Sequence, residues 1–297
     1  MKTTEQYGIR ISLAGASLFA ILGIAFALLT KSQAVLLDGA FNLITAVMVL
    51  FAMRITRLLG EPETERRPAG YVALEPLYIL IKGLVLLVLT LFVMASNVII
   101  LIRGGNELNL GIITIYIGIA VIGNFLVWFL IHQKHKGTAS PLLRVEKQNW
   151  LVNTLISAGI GISFLVVFIL KDGALKVIVP YVDQIVVILV GLVSLSVPVA
   201  AIREGMRELL LFGPDESVQL KIREIIASEL DELEIRQWKA FILKTGRKYW
   251  VTLMIDPAKD TIEAEFSDAL IVKLMPVLNR DFPSINLDIL ITRKFQE

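Results

Sequence analysis

The sequence predicts an α-helical membrane protein with six transmembrane helices and a C-terminal cytoplasmic α+β domain. Hydrophobic residues make up 56% of the 297 residues, and the mean hydropathy of +0.72 is far above that of a soluble globular chain. Six apolar windows are long enough to cross the bilayer, because about 30 Å of hydrocarbon takes about 20 helical residues. After about residue 214 the apolar runs shorten and amphipathic patterns begin.

The six windows lie near residues 10–30, 34–57, 72–102, 110–132, 143–170 and 180–203. The first window has some features of a signal peptide, but it is long and is followed by further windows, so it is interpreted as a retained span. The connections after the second and fourth windows hold most of the positive charge: Arg54, Arg57, Arg66, Arg67, Lys134, Lys136 and Arg144. With an even number of spans, the positive-inside rule then places both termini in the cytoplasm.

The chain divides into a membrane part, residues 1–209, and a soluble part, residues 210–297. In the soluble part a helix is predicted over 216–231, opened by the acidic "PDES" cap. Two strands, "IRQWKAFILKT" and "KYWVTLMID", follow, then a helix near 261–280 and the strand "INLDILITRK". The order αββαβ is typical of a small ferredoxin-like sandwich, and a domain of about 80 residues favours dimerisation.

Composition also excludes several classes of function. A net charge of +2 is too small to indicate nucleic acid as a partner, and a chain without cysteine has neither disulfides nor thiolate zinc sites. No Ser/His or paired Asp arrangement is visible at membrane depth, and no Gly-rich phosphate loop precedes a helix. We therefore expect a protein that is not an enzyme and has no cofactor. His132 and His135 lie in a basic loop and are interpreted as solvated surface.

Four motifs occur in order along the chain. They are "SQAVLLDGAF" in the second span, "GYVALEPL" before the third, "RVEKQNWLVN" in the fifth, and "REGMRELLLFGPDES" after a sixth span that carries Asp183 near its start. Together they resemble the cation diffusion facilitator, or cation efflux, family over almost the full length. The resemblance implies a homodimeric secondary transporter that exports a divalent cation such as zinc, manganese, iron or cadmium in exchange for protons.

The resemblance also implies a transport site of four ligands, two on the second span and two on the fifth. In this sequence those positions are Phe41 and Thr45, and Asn149 and Asn153. None of these side chains is ionisable, whereas tetrahedral zinc sites use imidazole, thiolate or carboxylate ligands. The departure leaves three interpretations open: a divalent metal exporter, a transporter of a different cation, and a membrane scaffold or regulator that has lost transport.

Nearby carboxylates do not replace the missing ligands. Counted along their spans, Asp38 lies toward the outside and Glu146 toward the cytoplasm, about 20 Å apart along the membrane normal, so they cannot share one ion. The candidate substrate path then has a midplane cluster between these two acids: Asn42, Thr45, Asn149 and Asn153. Such neutral oxygens suit a hard, weakly held cation better than zinc. Alternatively, the carboxamides hydrogen-bond across helices and hold the bundle together.

Other charges and aromatic residues have simpler interpretations. Glu75 and Lys82 lie two turns apart on one face of the third span, where they could neutralise one another. The favoured interpretation is a charge pair, either within the helix or between helices. Asp38 belongs either to an exit path or to helix packing. The tail aromatics are expected in the core and at a dimer interface: Trp238, Phe241 and Trp250. The compact loops suggest a bacterial inner membrane.

Overall fold

A computed structural model describes residues 2–30, 33–105, 112–135, 140–170, 179–231, 233–258, 264–282 and 284–293. The chain forms two compact units. The first consists of Met1–Tyr71 and Leu77–Glu204, and the second of Val72–Pro76 and Gly205–Glu297. The second unit therefore includes a short segment from the first third of the sequence.

Long helices build the first unit, although α3 begins and α7 ends in residues of the second. Their bounds are α1 Lys2–Thr30, α2 Gln33–Leu58, α3 Leu74–Ile102, α4 Ile112–His135, α5 Pro141–Leu170, α6 Val179–Ser194 and α7 Ser196–Leu209. Each predicted apolar window coincides with one of these helices or, for the last window, with the pair α6 and α7.

Five helical segments in the described part of the chain are long and apolar enough to cross a membrane: Thr4–Leu29, Asp38–Leu58, Leu74–Ile102, Ile115–Gln133 and Gln184–Leu209. Many of their apolar side chains face outward, for example Leu28 at 75% and Val193 at 72% exposure. Apolar side chains on the outer surface are what a hydrocarbon environment favours. The five segments confirm five of the predicted spans, and the fifth span in sequence order, within α5, stays a prediction.

The last span is interrupted at Leu195, between α6 and α7. Pro198 has no N–H, so it cannot donate to the carbonyl of Ser194 four residues earlier. The ladder nevertheless continues through the junction, because Leu195 donates to the Gly191 carbonyl at 3.0 Å and Val199 to the Leu195 carbonyl at 3.3 Å. A missing donor thus divides one span into two helices without ending it.

Helices α1 and α2 cross with their backbones in contact at two glycines. A Cβ atom on Gly23 would lie 2.5 Å from the Gly39 Cα atom, and one on Gly39 would lie 2.8 Å from the Ile24 backbone nitrogen. Small residues permit this kind of close approach between membrane helices. Both crossing positions therefore require glycine.

The second unit contains α8 Glu216–Leu230, β1 Ile235–Thr245, β2 Lys248–Pro257, α9 Ala264–Asp281 and β3 Ile285–Ile291, in the predicted order αββαβ. The sheet has the order β1-β2-β3, with β1 antiparallel and β3 parallel to the central β2. Gly246, with φ +58°, begins the two-residue turn between β1 and β2, as the mirror-image hairpin turns require.

The core of this unit lies between the two helices and one face of the sheet. Apolar residues at a spacing of four in α8 and α9, and at a spacing of two in β2, are buried: Ile222, Ile226, Leu230, Leu270, Leu274, Leu278, Val251, Leu253 and Ile255. These spacings are the helical and strand periods. Trp238 packs against this core, whereas Phe241 is 45% exposed.

Candidate functional site

A cavity of about 200 Å³ lies among the helices of the first unit. Helices α2, α3, α4, α5 and α6 all contribute side chains to its wall. Its polar lining consists of Asp38, Thr90, Asn97, Asn124, Asn153 and Ser157. Its apolar lining consists of Ala40, Phe41, Ile44, Leu89, Phe92, Val93, Ile156 and Val187. A cavity between apolar helices that has several polar groups in its wall is a candidate substrate site.

Asp38 contributes the carboxylate of this wall. Its backbone carbonyl accepts a hydrogen bond from Asn42 Nδ2 at 2.9 Å, and its Oδ2 accepts one from the Tyr116 hydroxyl of α4. The neighbouring Gly39 is held against Gly23 by the helix crossing. The Asp38 carboxylate is therefore held by Tyr116 of α4, next to the crossing of α1 and α2. Among the lining residues that the structure describes, it is the one titratable side chain.

Neutral carboxamide and hydroxyl groups form the opposite part of the wall. Asn124 Nδ2 donates to Ser157 Oγ at 2.8 Å, and Asn153 lies one helical turn before Ser157 on α5. Asn124 Oδ1 is buried and has no hydrogen-bond partner among the described residues. An acceptor of this kind can receive a hydrogen bond or contribute to the coordination of a hard cation.

The cavity brings together some of the residues predicted for the substrate path but not others. Asp38, Phe41 and Asn153 line it. Three further members of the predicted path do not line it, although all are buried: Asn42, Thr45 and Asn149. Asp183 lies in α6, but its side chain is outside the described residues.

Asn149 is fully buried, and neither polar atom of its carboxamide has a hydrogen-bond partner among the described residues. Leaving a buried polar group unpaired costs about 1–3 kcal/mol. A polar ligand or water molecule that reached this side chain would therefore be stabilised. Helical spacing placed Asn149 on the face of α5 that carries Asn153, but the cavity extends along that face toward Ser157 instead.

Glu146 lies in a separate and fully enclosed network. Its Oε1 accepts hydrogen bonds from the Tyr78 hydroxyl at 2.5 Å and from Lys82 Nζ at 2.6 Å, and its Oε2 accepts one from Ser12 Oγ at 2.7 Å. Trp150 Nε1 also donates to Ser12 Oγ, at 2.7 Å. Glu146 and Lys82 are 0% and 2% exposed. This network joins α1, α3 and α5, and Glu146 does not line the cavity.

Glu75 and Lys82 do not pair with one another. Of the two predicted kinds of charge pair, the structure has the interhelical kind for Lys82. Lys82 forms its ion pair with Glu146 of α5. Glu75 belongs to the second unit, where it accepts hydrogen bonds at 2.9 Å from the Arg247 backbone N–H and Arg247 Nε. A shared helix face does not determine the partner, because each side chain reaches the nearest opposite charge on a different neighbouring element.

Two buried carboxylates thus accept hydrogen bonds from the turn between β1 and β2. Besides Glu75, Glu208 accepts hydrogen bonds from Lys244 Nζ at 2.6 Å and from the Gly246 N–H at 2.8 Å. Glu75 and Glu208 are 0% and 6% exposed. Sequence reasoning did not identify this cluster. Glu75 and Glu208 each lie in one of the four motifs, but those motifs are distant along the chain and do not show that both carboxylates contact the same turn.

Sequence reasoning also missed four polar residues of the cavity wall: Thr90, Asn97, Asn124 and Ser157. A signal for Ser157 was available, since it follows Asn153 by four residues on the same helix face. Among the described residues, no group of three or more His, Cys, Asp or Glu side chains is arranged to hold a metal ion. The site consists of one carboxylate and several neutral oxygens.

Comparison with known protein families identifies a matching family model. The family model of the cation efflux transmembrane domain matches residues 9–210, which includes most of α1 and all of α2 to α7. No curated protein shows significant similarity to the chain. The match to the family model covers more than half of the chain and includes every residue of the cavity wall.

Proposed function

The chain belongs to the cation efflux family, and from this membership we propose that it is a secondary active transporter exporting a hard divalent cation from the cytoplasm. Family membership makes the chain an integral multi-pass membrane protein and, in general terms, a metal cation transporter. The proposal adds three points to this: the identity of the ion, the direction of transport and an exchange for protons.

The composition of the cavity wall supports the choice of ion. Its polar atoms are oxygens and amide nitrogens, and no histidine or cysteine lines it among the described residues. Hard cations take six to eight oxygen ligands, whereas tetrahedral zinc sites favour imidazole and thiolate. A single carboxylate holds such an ion weakly, which suits a site that must also release it. Manganese therefore fits better than zinc or cadmium.

Asp38 supports an exchange for protons. A carboxylate without a counter-charge is costly within a bilayer, by up to about 2.5–3.5 kcal/mol at the midplane and by less toward the surface, where Asp38 begins its span. Asp38 receives a neutral hydroxyl donor from Tyr116 and no ion pair among the described residues. A cation and a proton would each remove the uncompensated charge, so they compete for the same group. Competition of this kind couples the entry of one to the departure of the other.

The proposal includes six spans, with α5 as the fifth, and both termini in the cytoplasm of a bacterial inner membrane. It also includes a homodimer formed through a ferredoxin-like second unit. Apolar side chains exposed on that unit support a dimer interface, since Phe241, Val272 and Leu290 are 45%, 73% and 51% exposed. Exposed apolar residues in a small domain are often covered by a partner.

One observation favours a second candidate function, that of a membrane scaffold or regulator without transport. The described residues lack any cluster of three or more His, Cys, Asp or Glu side chains suited to a metal. A family member that has lost its strong ligands could keep the bundle and the dimer for another role. The two candidates differ in whether ions cross the membrane.

Ion flux into vesicles that contain the purified full-length chain tests the proposal. We expect manganese uptake to exceed zinc uptake. It should also increase when protons are more concentrated inside the vesicles, so that they leave as manganese enters. Asp38→Asn should lower the initial rate at least about tenfold, comparable to the loss of an important group near a metal. Asn153→Ala should lower it less. Asp268→Asn makes the same chemical change as Asp38→Asn at an exposed position of α9, and should leave the rate unchanged.

Two outcomes would contradict different parts of the proposal. If manganese, iron, zinc and cadmium all fail to cross, with or without a pH gradient, the scaffold becomes the better description. If ions cross at the same rate in the wild type, Asp38→Asn and Asn153→Ala, the transporter stands but the cavity is not its site.

A further inference from the structure

A second cavity, of about 300 Å³, lies between the start of α1 and the end of α2. Three arginines line it, Arg10 from α1 and Arg54 and Arg57 from α2, together with Gln6. Leu50 and Met53 form an apolar part of its wall. This basic groove is distinct from the candidate transport cavity and shares none of its lining residues.

The guanidinium groups of this groove have no carboxylate partner in the part of the chain that the structure describes. No ion pair involves Arg10, Arg54 or Arg57 among the described residues, whereas Arg144 and Arg247 each contact a carboxylate. Three like charges around one cavity repel one another, so an anion that enters lowers the energy of the site. Arginine presents a planar fork of donors that matches phosphate oxygens in pairs.

The position of the groove indicates where that phosphate comes from. Arg54 and Arg57 lie in the last turns of the span Asp38–Leu58, and Gln6 and Arg10 lie near the start of the span Thr4–Leu29. The groove is therefore at one membrane surface, at the level of the lipid head groups. In the proposed topology this is the cytoplasmic surface, where anionic lipids attract basic residues.

An apolar strip leads from the groove into the membrane. Leu50, Val47 and Leu43 are 54%, 46% and 50% exposed and follow one another at helical spacing below Arg54 on α2. The strip is about 10 Å long at the helical rise. A soluble phosphate would use only the arginines, but a lipid would use both the arginines and this strip.

We propose that the basic groove between α1 and α2 binds the phosphate head group of an anionic phospholipid, with an acyl chain along the apolar strip. The site is independent of ion transport and of the ligands in the transport cavity. Gln6 supplies a neutral donor to the head group, while the arginines supply charge. The bound lipid would bridge the two helices at their shared end.

Native mass spectrometry of the purified full-length chain in an uncharged detergent tests this proposal. The probes are dioctanoyl phosphatidylglycerol, dioctanoyl phosphatidylcholine and inorganic phosphate. We expect the phosphatidylglycerol to bind about ten- to a hundredfold more tightly than the phosphatidylcholine, since each arginine near the lipid surface adds to the attraction for an anionic lipid. Inorganic phosphate at the same concentration should not displace it.

The variant Arg10→Gln/Arg54→Gln/Arg57→Gln should remove the preference for the anionic lipid. The matched control, Arg66→Gln/Arg103→Gln/Arg223→Gln, lowers the net charge by the same amount at exposed positions outside the groove and should keep the preference. If the triple variant does not fold, Arg54→Gln alone should weaken binding several-fold. Equal binding of the two lipids by the wild type, or displacement by inorganic phosphate, would overturn the lipid site. An unchanged preference in the groove variants would do the same.

Discussion

Lys82→Met should strongly destabilise the first unit, because it leaves the Glu146 carboxylate buried without its counter-ion. Lys82 Nζ lies 2.6 Å from Glu146 Oε1, and both side chains are almost completely buried. After the substitution, Glu146 keeps two neutral donors, the hydroxyl groups of Tyr78 and Ser12. Methionine approximates the apolar length of lysine, so the change removes the charge with little loss of volume.

The expected magnitude follows from the number of groups that lose a partner. Removing one member of a buried ion pair costs about 3–5 kcal/mol, since the remaining charge stays desolvated. The double variant Lys82→Met/Glu146→Gln leaves no charge and keeps a carboxamide in place of the carboxylate, so we expect it to cost only about 1–2 kcal/mol. The double variant should therefore be about 2–3 kcal/mol more stable than Lys82→Met. Glu146→Gln alone leaves Lys82 buried without a partner, so the costs of the two single variants should not add.

The measurement is a double-mutant cycle on the free energy of unfolding of the purified chain in mixed micelles, followed by the far-ultraviolet helix signal. Lys147→Met is the matched control, because Lys147 adjoins Glu146 on α5 and has no ion pair among the described residues. We expect the control to stay within about 0.5 kcal/mol of the wild type. A cost below about 1 kcal/mol for Lys82→Met, or additive effects in the cycle, would refute the buried pair.

Two pairs of glycine substitutions, each a test and its control, examine the close contacts of the backbone. Gly23→Ala should lower the unfolding free energy by about 2–4 kcal/mol, because the added Cβ would lie 2.5 Å from the Gly39 Cα atom of α2. The control is Gly118→Ala, whose Cβ would meet nothing within 4 Å. It should change the unfolding free energy by less than about 1 kcal/mol. Equal effects in these two variants would contradict the crossing. Gly246→Ala combines φ +58° with a clash against Glu75 and should lower the thermal midpoint more than Gly104→Ala, where φ is +106° and the space is open. A smaller shift for Gly246→Ala would show that the turn is not enclosed by that carboxylate.

The helices and strands of the fold could be predicted from hydropathy and periodicity. Continuous apolar windows marked the membrane helices, and the burial of Ile222, Ile226 and Leu230 follows directly from their spacing of four residues. The division of the last span at Leu195 was not predicted. Pro198 was visible in the sequence, but a proline within a membrane helix does not by itself reveal whether the helix ends or continues.

Only part of the candidate site could be predicted from the sequence. Motif alignment and helical depth identified Asp38, Phe41 and Asn153, which do line the cavity. Asn124 was not identified, because a single carboxamide in a span gives no information about the helix that it faces. Glu146 was not identified as the partner of Lys82 for a related reason. Spacing along one helix defines a face, but the identity of the opposing side chain depends on how separate helices pack.

The glycine crossing of α1 and α2 also constrains how the cavity can change shape. A contact between two backbones contains no side chain that could switch rotamer and absorb a displacement. A shift of α2 near Asp38 is therefore transmitted directly to α1, so the two helices behave as a single mechanical element at this level. The cavity can widen at the parts of its wall that α3, α5 and α6 form, but not at the seam between α1 and α2.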